Sequence, residues 1–508
     1  MDYRTGITLD PADERPLYQQ IVDQVNERVK TGAFPVGFRL PPTRSLAKEL
    51  RTHRNTVVRA FEELQAMGLV TSTVGRGTFI AARPQSAPRA EPIAASGIAW
   101  GGLTSRRLEG GPLDRFDRLA RQLTTGDTIN LQTMQPSADL IPVEPFRRCM
   151  EHVLRTSKGR ALAYGPREGL PALRQQVAEG LSRDGVPVRM DDVIITSGSQ
   201  QAIDIISRAL LDPGDKVLLE APTYSGAINV FAASGATLVG VPVDAEGPSI
   251  EALSRMDTRG VKLLYLMPNC RNPTGSTISQ ARREAIVRWS KERSIPIIED
   301  DYGADLNLDG VPPPVSLRAL DPDVLYMGTF SKKLIPALRV GYLVCPPALR
   351  PHVVALKHAT DLGTSMLLQH ALSEFLDRGY MRPHLARVLQ VYRERRDVLE
   401  GALAQHLGRD FPWAHVERAV QIWVRLPTGL DPEAAFRAAE RRGVLVAPGT
   451  LSSLTEEAAP GVRLCFCYEP TERLREGARR LGVALREAVG NPEPRPRTAI
   501  VSDQLSVV

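Results

Sequence analysis

A chain of 508 residues is longer than one ordinary domain, and the usual domain size predicts two or three. With 43% hydrophobic and 24% charged residues, no apolar run long enough to span a bilayer and an opening MDYRTGITLD that is no apolar signal, a membrane role is excluded and a cytoplasmic location is expected. Five scattered cysteines (Cys149, Cys270, Cys345, Cys465, Cys467) argue against a disulfide framework, and the net charge of +6 points toward an anionic partner.

Residues 1–83 hold 12 basic and 9 acidic side chains, a net +3, and bases dominate from Arg39 onward. Pro16 opens and Gly32 closes a first predicted helix, in which Leu17, Ile21, Val25 and Val29 form one apolar stripe. After a turn at 35–37, residues 40–50 read as a second helix capped by Thr43. A third helix runs from about 53 to 67 and stops at Gly68. Strands at 69–73 and 78–80 flank Gly75-Arg76-Gly77, giving a winged helix-turn-helix with an arginine at the wing tip.

This pattern suits double-stranded DNA. Arg54, Asn55 and Thr56 open the third helix, the end that meets base edges in a major groove. Arg44 is placed for a phosphate, and Arg76 for a minor groove. The segment resembles the GntR-type winged-helix regulators in Leu40-Pro-Pro-Thr-Arg-Ser-Leu-Ala, in Arg54-Asn-Thr-Val-Val-Arg-Ala-Phe-Glu-Glu-Leu and in Gly75-Arg-Gly-Thr-Phe. It departs from them at Arg51-Thr52-His53, where the family carries a glycine, an apolar residue and a capping serine; Thr52 is left to cap.

Residues 84–125, rich in proline, alanine and serine, read as a flexible tether with a short helix at 112–125. Its length allows the DNA module to reach a partner subunit. From 126 to 488, strand-like runs at 193–196, 216–220, 237–241, 263–267, 297–299, 324–327 and 340–344 alternate with helical ones, the signature of an α/β sheet with crossover helices. Such sheets bind ligands at the carboxyl ends of their strands, where the polar motifs fall.

Thr196-Ser-Gly-Ser-Gln-Gln-Ala opens a helix after the first of these strands, so Gly198, Ser199 and Gln200 can seat a phosphate. Tyr224 ends the next motif and can stack on a planar ring, and Asn272 in Asn272-Pro-Thr-Gly can donate to a phenolic oxygen. A carboxylate in Glu299-Asp-Asp-Tyr302 suits a pyridine nitrogen. In Tyr326-Met-Gly-Thr-Phe-Ser-Lys-Lys-Leu-Ile-Pro-Ala-Leu-Arg-Val-Gly-Tyr342, an amine (Lys332), a hydroxyl (Ser331) and a guanidinium (Arg339) come together. A lysine for an aldehyde beside a phosphate site points to pyridoxal 5′-phosphate (PLP). Arg463, on a late strand at 461–466, suits a substrate carboxylate. Cys465 and Cys467 alternate there and are expected to be buried free thiols, with no metal site. Residues 489–508 read as a disordered tail.

In this order the motifs resemble the fold type I aminotransferases across essentially the whole domain. The resemblance implies an internal aldimine at Lys332, Asp300 on the pyridine nitrogen, and Tyr302 and Asn272 on the ring oxygen. It implies stacking by Tyr224, phosphate contacts from Ser199, Gln200, Ser331 and Arg339, and a carboxylate on Arg463. Tyr164, in Ala163-Tyr-Gly-Pro-Arg-Glu-Gly, resembles the tyrosine that reaches a neighbouring subunit's phosphate, so a homodimer is implied. Asp301 competes with Asp300, and the sequence does not choose between them. The fusion resembles the MocR subfamily of GntR regulators, in which the large domain senses PLP or an amino-acid or amine effector. A working aminotransferase with an accessory DNA-binding module is the alternative.

Overall fold

The computed structural model describes residues 5–10, 13, 15–73, 77–81, 103–105, 112–113, 127–455 and 459–490. The chain divides into two compact units, Met1–Leu103 and Thr104–Val508. The division falls inside the expected tether, most of whose predicted 112–125 helix lies outside the described residues. So do residues 491–508 of the expected tail. Among the described residues no helix is long and apolar enough to cross a membrane.

In the first unit, helix α1 (Leu17–Lys30) buries Ile21, Val22 and Val25, one face of its apolar periodicity. Helix α2 (Thr43–Glu49) contributes Leu46, and α3 (Arg54–Ala66) contributes Val57, Phe61 and Leu64 to the same core. Strands β1 (Val70–Thr73) and β2 (Gly77–Ile80) close it as an antiparallel hairpin with Thr73 opposite Gly77. The predicted winged helix-turn-helix is therefore present, with two local differences. Thr43 does not cap α2; it is the first helical residue, Pro42 takes the N-cap position, and no side chain caps the end. At α3 the cap is His53 rather than Thr52: the His53 ring Nδ1 accepts from the Asn55 N–H at 3.2 Å. An imidazole acceptor one residue before the helix does the work usually given to a serine hydroxyl.

The second unit is built on an eight-stranded sheet. Its strands are β4 (Val193–Thr196), β5 (Lys216–Ala221), β6 (Thr237–Asp244), β7 (Gly247–Pro248), β8 (Val261–Leu266), β9 (Ile297–Asp300), β10 (Leu325–Thr329) and β11 (Gly341–Val344). They lie in the order β4-β11-β10-β9-β8-β5-β6-β7. Strands β5, β6, β8, β9 and β10 pair in parallel, and β11 runs antiparallel between β4 and β10. Strands β9 and β10, in the middle of the sheet, are buried along their length, as expected of a sheet covered on both faces. Alternate residues feed different cores: Ile194 joins the cluster that includes Ile203 and Ile206 of the Ser199–Leu210 helix, whereas Val193 and Ile195 meet Leu173 and Val177 of the Pro171–Arg183 helix.

A smaller sheet holds β12 (Gln421–Arg425), β15 (Gly461–Cys465) and β14 (Ala447–Pro448) in that order. Strand β3 (Ile129–Asn130) pairs in parallel with β13 (Val444–Leu445), and Leu131 then accepts from the Cys465 N–H at 2.6 Å. That register lays residues 132–134 against the end of β15. The two-residue strands β3, β7, β13 and β14 are too short to leave a periodic signal, and their absence from the sequence reading follows from that.

Replacing His53 with alanine is expected to cost about 1 kcal/mol at the α3 N-terminus. Amide exchange of residues 54–58 in the full chain should rise, and His53→Ser should restore it; equal exchange in all three proteins would contradict the cap.

Candidate functional site

Strands β5, β8, β9 and β10 end together, and the loops leaving them bring most of the expected residues into one place. Lys332 lies three residues past β10, half-buried, with its Nζ donating to the Met134 carbonyl at 2.8 Å. Burial lowers its pKa; the cations Arg463 and Arg339 push the same way, and the Cys467 and Cys465 thiols oppose them. An amine in this setting is a competent nucleophile toward a carbonyl.

Asp300 closes β9 and is buried. Its Oδ2 accepts from the Tyr265 hydroxyl at 2.6 Å, and its Oδ1 has no hydrogen-bond partner among the described residues. Burial pushes its pKa up to about 7, with Asp301 adding to the rise and Tyr265 and Lys332 opposing it. Asp301, the next residue, faces a different set: its Oδ2 accepts from Asn269 Nδ2 at 2.8 Å and from the Tyr326 hydroxyl at 2.9 Å, close to Arg283. Successive side chains of an extended strand point to opposite faces, so only Asp300 looks toward Lys332.

The expected anion seat lies at the start of the Ser199–Leu210 helix. Gly198 precedes it with φ +89°, a conformation that leaves the first helical N–H groups open. A Cβ on Gly198 would stand 2.8 Å from Arg339 Nη2, so the guanidinium lies directly against the turn. Arg339 itself is exposed and donates to the Ser197 carbonyl at 3.2 Å. Ser331 is buried, and its Oγ accepts from Thr329 Oγ1 at 3.0 Å. The Tyr224 hydroxyl donates to Gln200 Oε1 at 3.1 Å, and Gln200 Nε2 to the Gly226 carbonyl at 2.9 Å, which ties the ring to the seat.

Arg463 projects from β15. Its Nη1 donates to Asn272 Oδ1 and its Nη2 to the Gln132 carbonyl, both at 3.0 Å, while Nε has no partner among the described residues. Tyr302 is buried with its hydroxyl against Gln421, whose Nε2 donates to it at 3.0 Å. Tyr164 is not in this cluster; it points outward and is 86% exposed.

In the first unit, Arg54 and Asn55 are exposed on the first turn of α3, Thr56 is half-buried beside them, and Arg44 is exposed on α2. Not every base counted in the sequence is free: Arg59 lies 4.0 Å from the centre of the Tyr18 ring, and Arg39 covers Phe79. Arg76 lies outside the described residues.

The aminotransferase class I and II family model matches residues 127–481, and that of the bacterial gntR regulatory proteins matches residues 17–80. The HTH-type transcriptional regulator YdfD of Bacillus subtilis is 31% identical over 93% of this chain and 97% of its own. The probable rhizopine catabolism regulatory protein MocR of Rhizobium meliloti is 30% identical over 93% of this chain and 94% of its own. The chain belongs to this family: a GntR-type regulator fused to a class I/II aminotransferase domain. The same fold is seen in LysN, the alpha-aminoadipate aminotransferase of Thermus thermophilus, in its complex with N-(5′-phosphopyridoxyl)-L-leucine. That structure has 32% identity and a TM-score of 0.71, and the match covers 77% of this chain and all of the other.

Several residues that engage the expected site residues carried no signal in the sequence. Gln421 engages Tyr302 from 119 positions away, and Tyr265 engages Asp300 from the neighbouring strand. Asp361 accepts from Gln201 and Ser197 at the anion seat and is itself paired with the buried Lys357 at 3.1 Å. Gly341 is a further hidden requirement. A Cβ there would stand 2.9 Å from both Gly198 Cα and the Gly328 carbonyl, so three glycines let β4, β11 and β10 meet under the seat. Gly341→Ala should destabilise the second unit by about 1–3 kcal/mol, read as a lower melting temperature; an unchanged melt would contradict the close approach.

Proposed function

We propose that this regulator binds PLP at the carboxyl ends of β5, β8, β9 and β10 and senses an amino acid there, changing its affinity for operator DNA. The residues fit the group. A buried carboxylate oxygen without a partner, Asp300 Oδ1, is suited to a protonated ring nitrogen, and Lys332 supplies the amine for the aldehyde. Gly198, Ser199 and Gln200 with Ser331 and Arg339 offer donors for a phosphate, and Tyr224 offers a ring face. Asn272 and Tyr302 are the candidates for the ring oxygen: Asn272 accepts from Arg463 through Oδ1, which leaves Nδ2 as its donor, and the Tyr302 hydroxyl would have to share the proton it now gives Gln421 Oε1. Bound PLP supplies an electrophilic carbon and an electron sink to an incoming amine.

Arg463 gives the site its preference for a carboxylate. A bidentate anion on its fork would compete with the Gln132 carbonyl and Asn272 Oδ1 that it now holds. An α-amino acid offers both an amine for the cofactor and a carboxylate for Arg463. DNA affinity can then shift only by the difference in binding energy between the two arrangements of the protein. On the DNA side, Arg54, Asn55 and Thr56 read bases, with Arg44 and Arg76 on the backbone and wing. The observation that carries this reading is the presence in one chain of an amine-and-anion site with a recognition helix whose Arg54 and Asn55 are exposed.

We further infer a homodimer in the cytoplasm. Val143, Leu154, Leu162 and Tyr164 are large apolar side chains left exposed, the composition of a surface that another copy covers, with Tyr164 reaching the partner's anion seat. The runner-up, a turnover enzyme, is favoured by one specific observation: the second unit matches LysN over the whole of that enzyme's length.

Lys332→Ala protein incubated with PLP should lack the visible absorbance of lysine-bound cofactor; a retained band would remove Lys332 from its role. Arg463→Ala should leave that band intact while raising the amino-acid concentration needed for any spectral change more than about tenfold. Arg54→Ala should weaken binding to DNA from the protein's own upstream region by about 1–3 kcal/mol, and an unchanged affinity would place the base-reading surface elsewhere.

A further inference from the structure

Tyr265 stands behind the cofactor site rather than in its lining. It is the fifth residue of β8, fully buried, with its ring edge-on to Phe231 at 5.9 Å between centroids. Its hydroxyl donates to Asp300 Oδ2 at 2.6 Å, at the short end for such a bond. Burial and the neighbouring Asp300 raise the phenol's pKa well above its ordinary value, so the hydroxyl stays protonated and acts as a donor to this carboxylate.

A carboxylate in this place has reason to be neutral. Asp300 is 2% exposed, Asp301 adjoins it, and Oδ1 has no partner. A neutral carboxyl offers a ring nitrogen no charge to hold its proton. A hydrogen bond given to one oxygen favours the ionised form and fixes the plane of the group, leaving the other oxygen as the acceptor without a partner. We propose that Tyr265 is a positioning residue: it holds one oxygen of the Asp300 carboxylate and thereby presents the other, charged, to the protonated ring nitrogen of the cofactor. This rests on the PLP reading above. Asp301 has its own phenol donor, Tyr326, and therefore does not compete for Tyr265.

A buried tyrosine that only satisfies its hydroxyl would affect stability and nothing else, so the test reads the ring nitrogen. Full-length wild type, Tyr265→Phe and Asp300→Asn are loaded with PLP labelled at that nitrogen. Nitrogen NMR then reports its protonation, beside the PLP dissociation constant and the visible band. Tyr265→Phe should keep the band, because Lys332 is untouched, and move the nitrogen signal toward the unprotonated position, in the same direction as Asp300→Asn. PLP should bind about tenfold more weakly, the size expected for losing one hydrogen bond to a charged group. A fluorinated tyrosine at 265, which keeps the packing and makes the hydroxyl a stronger donor, should not move the nitrogen toward that position. If Asp300→Asn moves the nitrogen while Tyr265→Phe leaves signal and affinity at wild-type values, the inference fails and the PLP reading stands. If wild type shows no Lys332-dependent band, both fall.

Discussion

Holding an amine and a carboxylate out of water at the ends of neighbouring strands is the constraint on which the second unit depends. Neither Lys332 nor Asp300 is stable there alone as an ion, and their proton affinities shift toward each other for that reason: the amine's falls and the carboxyl's rises. The parallel sheet supplies what makes this tolerable. Its strands β9 and β10 are buried throughout, and hydroxyls from the neighbouring strands, Tyr265 and Tyr326, together with Asn269 from the loop after β8, partner the two aspartates, with Arg283 holding Asn269.

Residues 132–134 connect this site with the rest of the chain. Three successive carbonyls accept from it: Gln132 from Arg463 and Cys465, Thr133 from Cys467, and Met134 from Lys332. The segment continues β3, the first described strand of the second unit, and follows in sequence the residues that lead from the DNA-contacting unit. The amine proposed for the cofactor, on Lys332, and the fork proposed for a carboxylate, on Arg463, are thus both held by backbone a few residues past the expected tether. In the proposed reading, a ligand that takes those donors releases the carbonyls of residues 132–134.

The fold was largely legible because its signals are local. The apolar stripe of α1, the sequence of short apolar strands and the glycine turns each declare themselves within a dozen residues, and the predicted strands differ from those found by at most three residues at an end. The charged members of the proposed site are conspicuous too, since a lysine, an arginine or an aspartate at a strand end stands out. What sequence could not show was pairing between distant residues: Gln421 with Tyr302, Tyr265 with Asp300, Asp361 with Gln201. The choice between Asp300 and Asp301 is of this kind. Two identical side chains differ in what they meet at the end of β9: Asp300, its last residue, meets Tyr265 of β8, and Asp301, just past it, meets Tyr326 of β10. Caps failed for a related reason, since an acceptor nitrogen on His53 can do what is expected of a hydroxyl.

Coupling between the two units is the central claim, and it is tested most directly by titrating PLP-loaded protein with a panel of amino acids. Absorbance, affinity for DNA from the protein's own upstream region and release of keto acid are followed in the same samples. The expected result is a ligand that changes absorbance and DNA affinity at the same concentrations without accumulating keto acid. Steady keto-acid production with DNA affinity indifferent to every ligand would contradict it and make the second unit an enzyme.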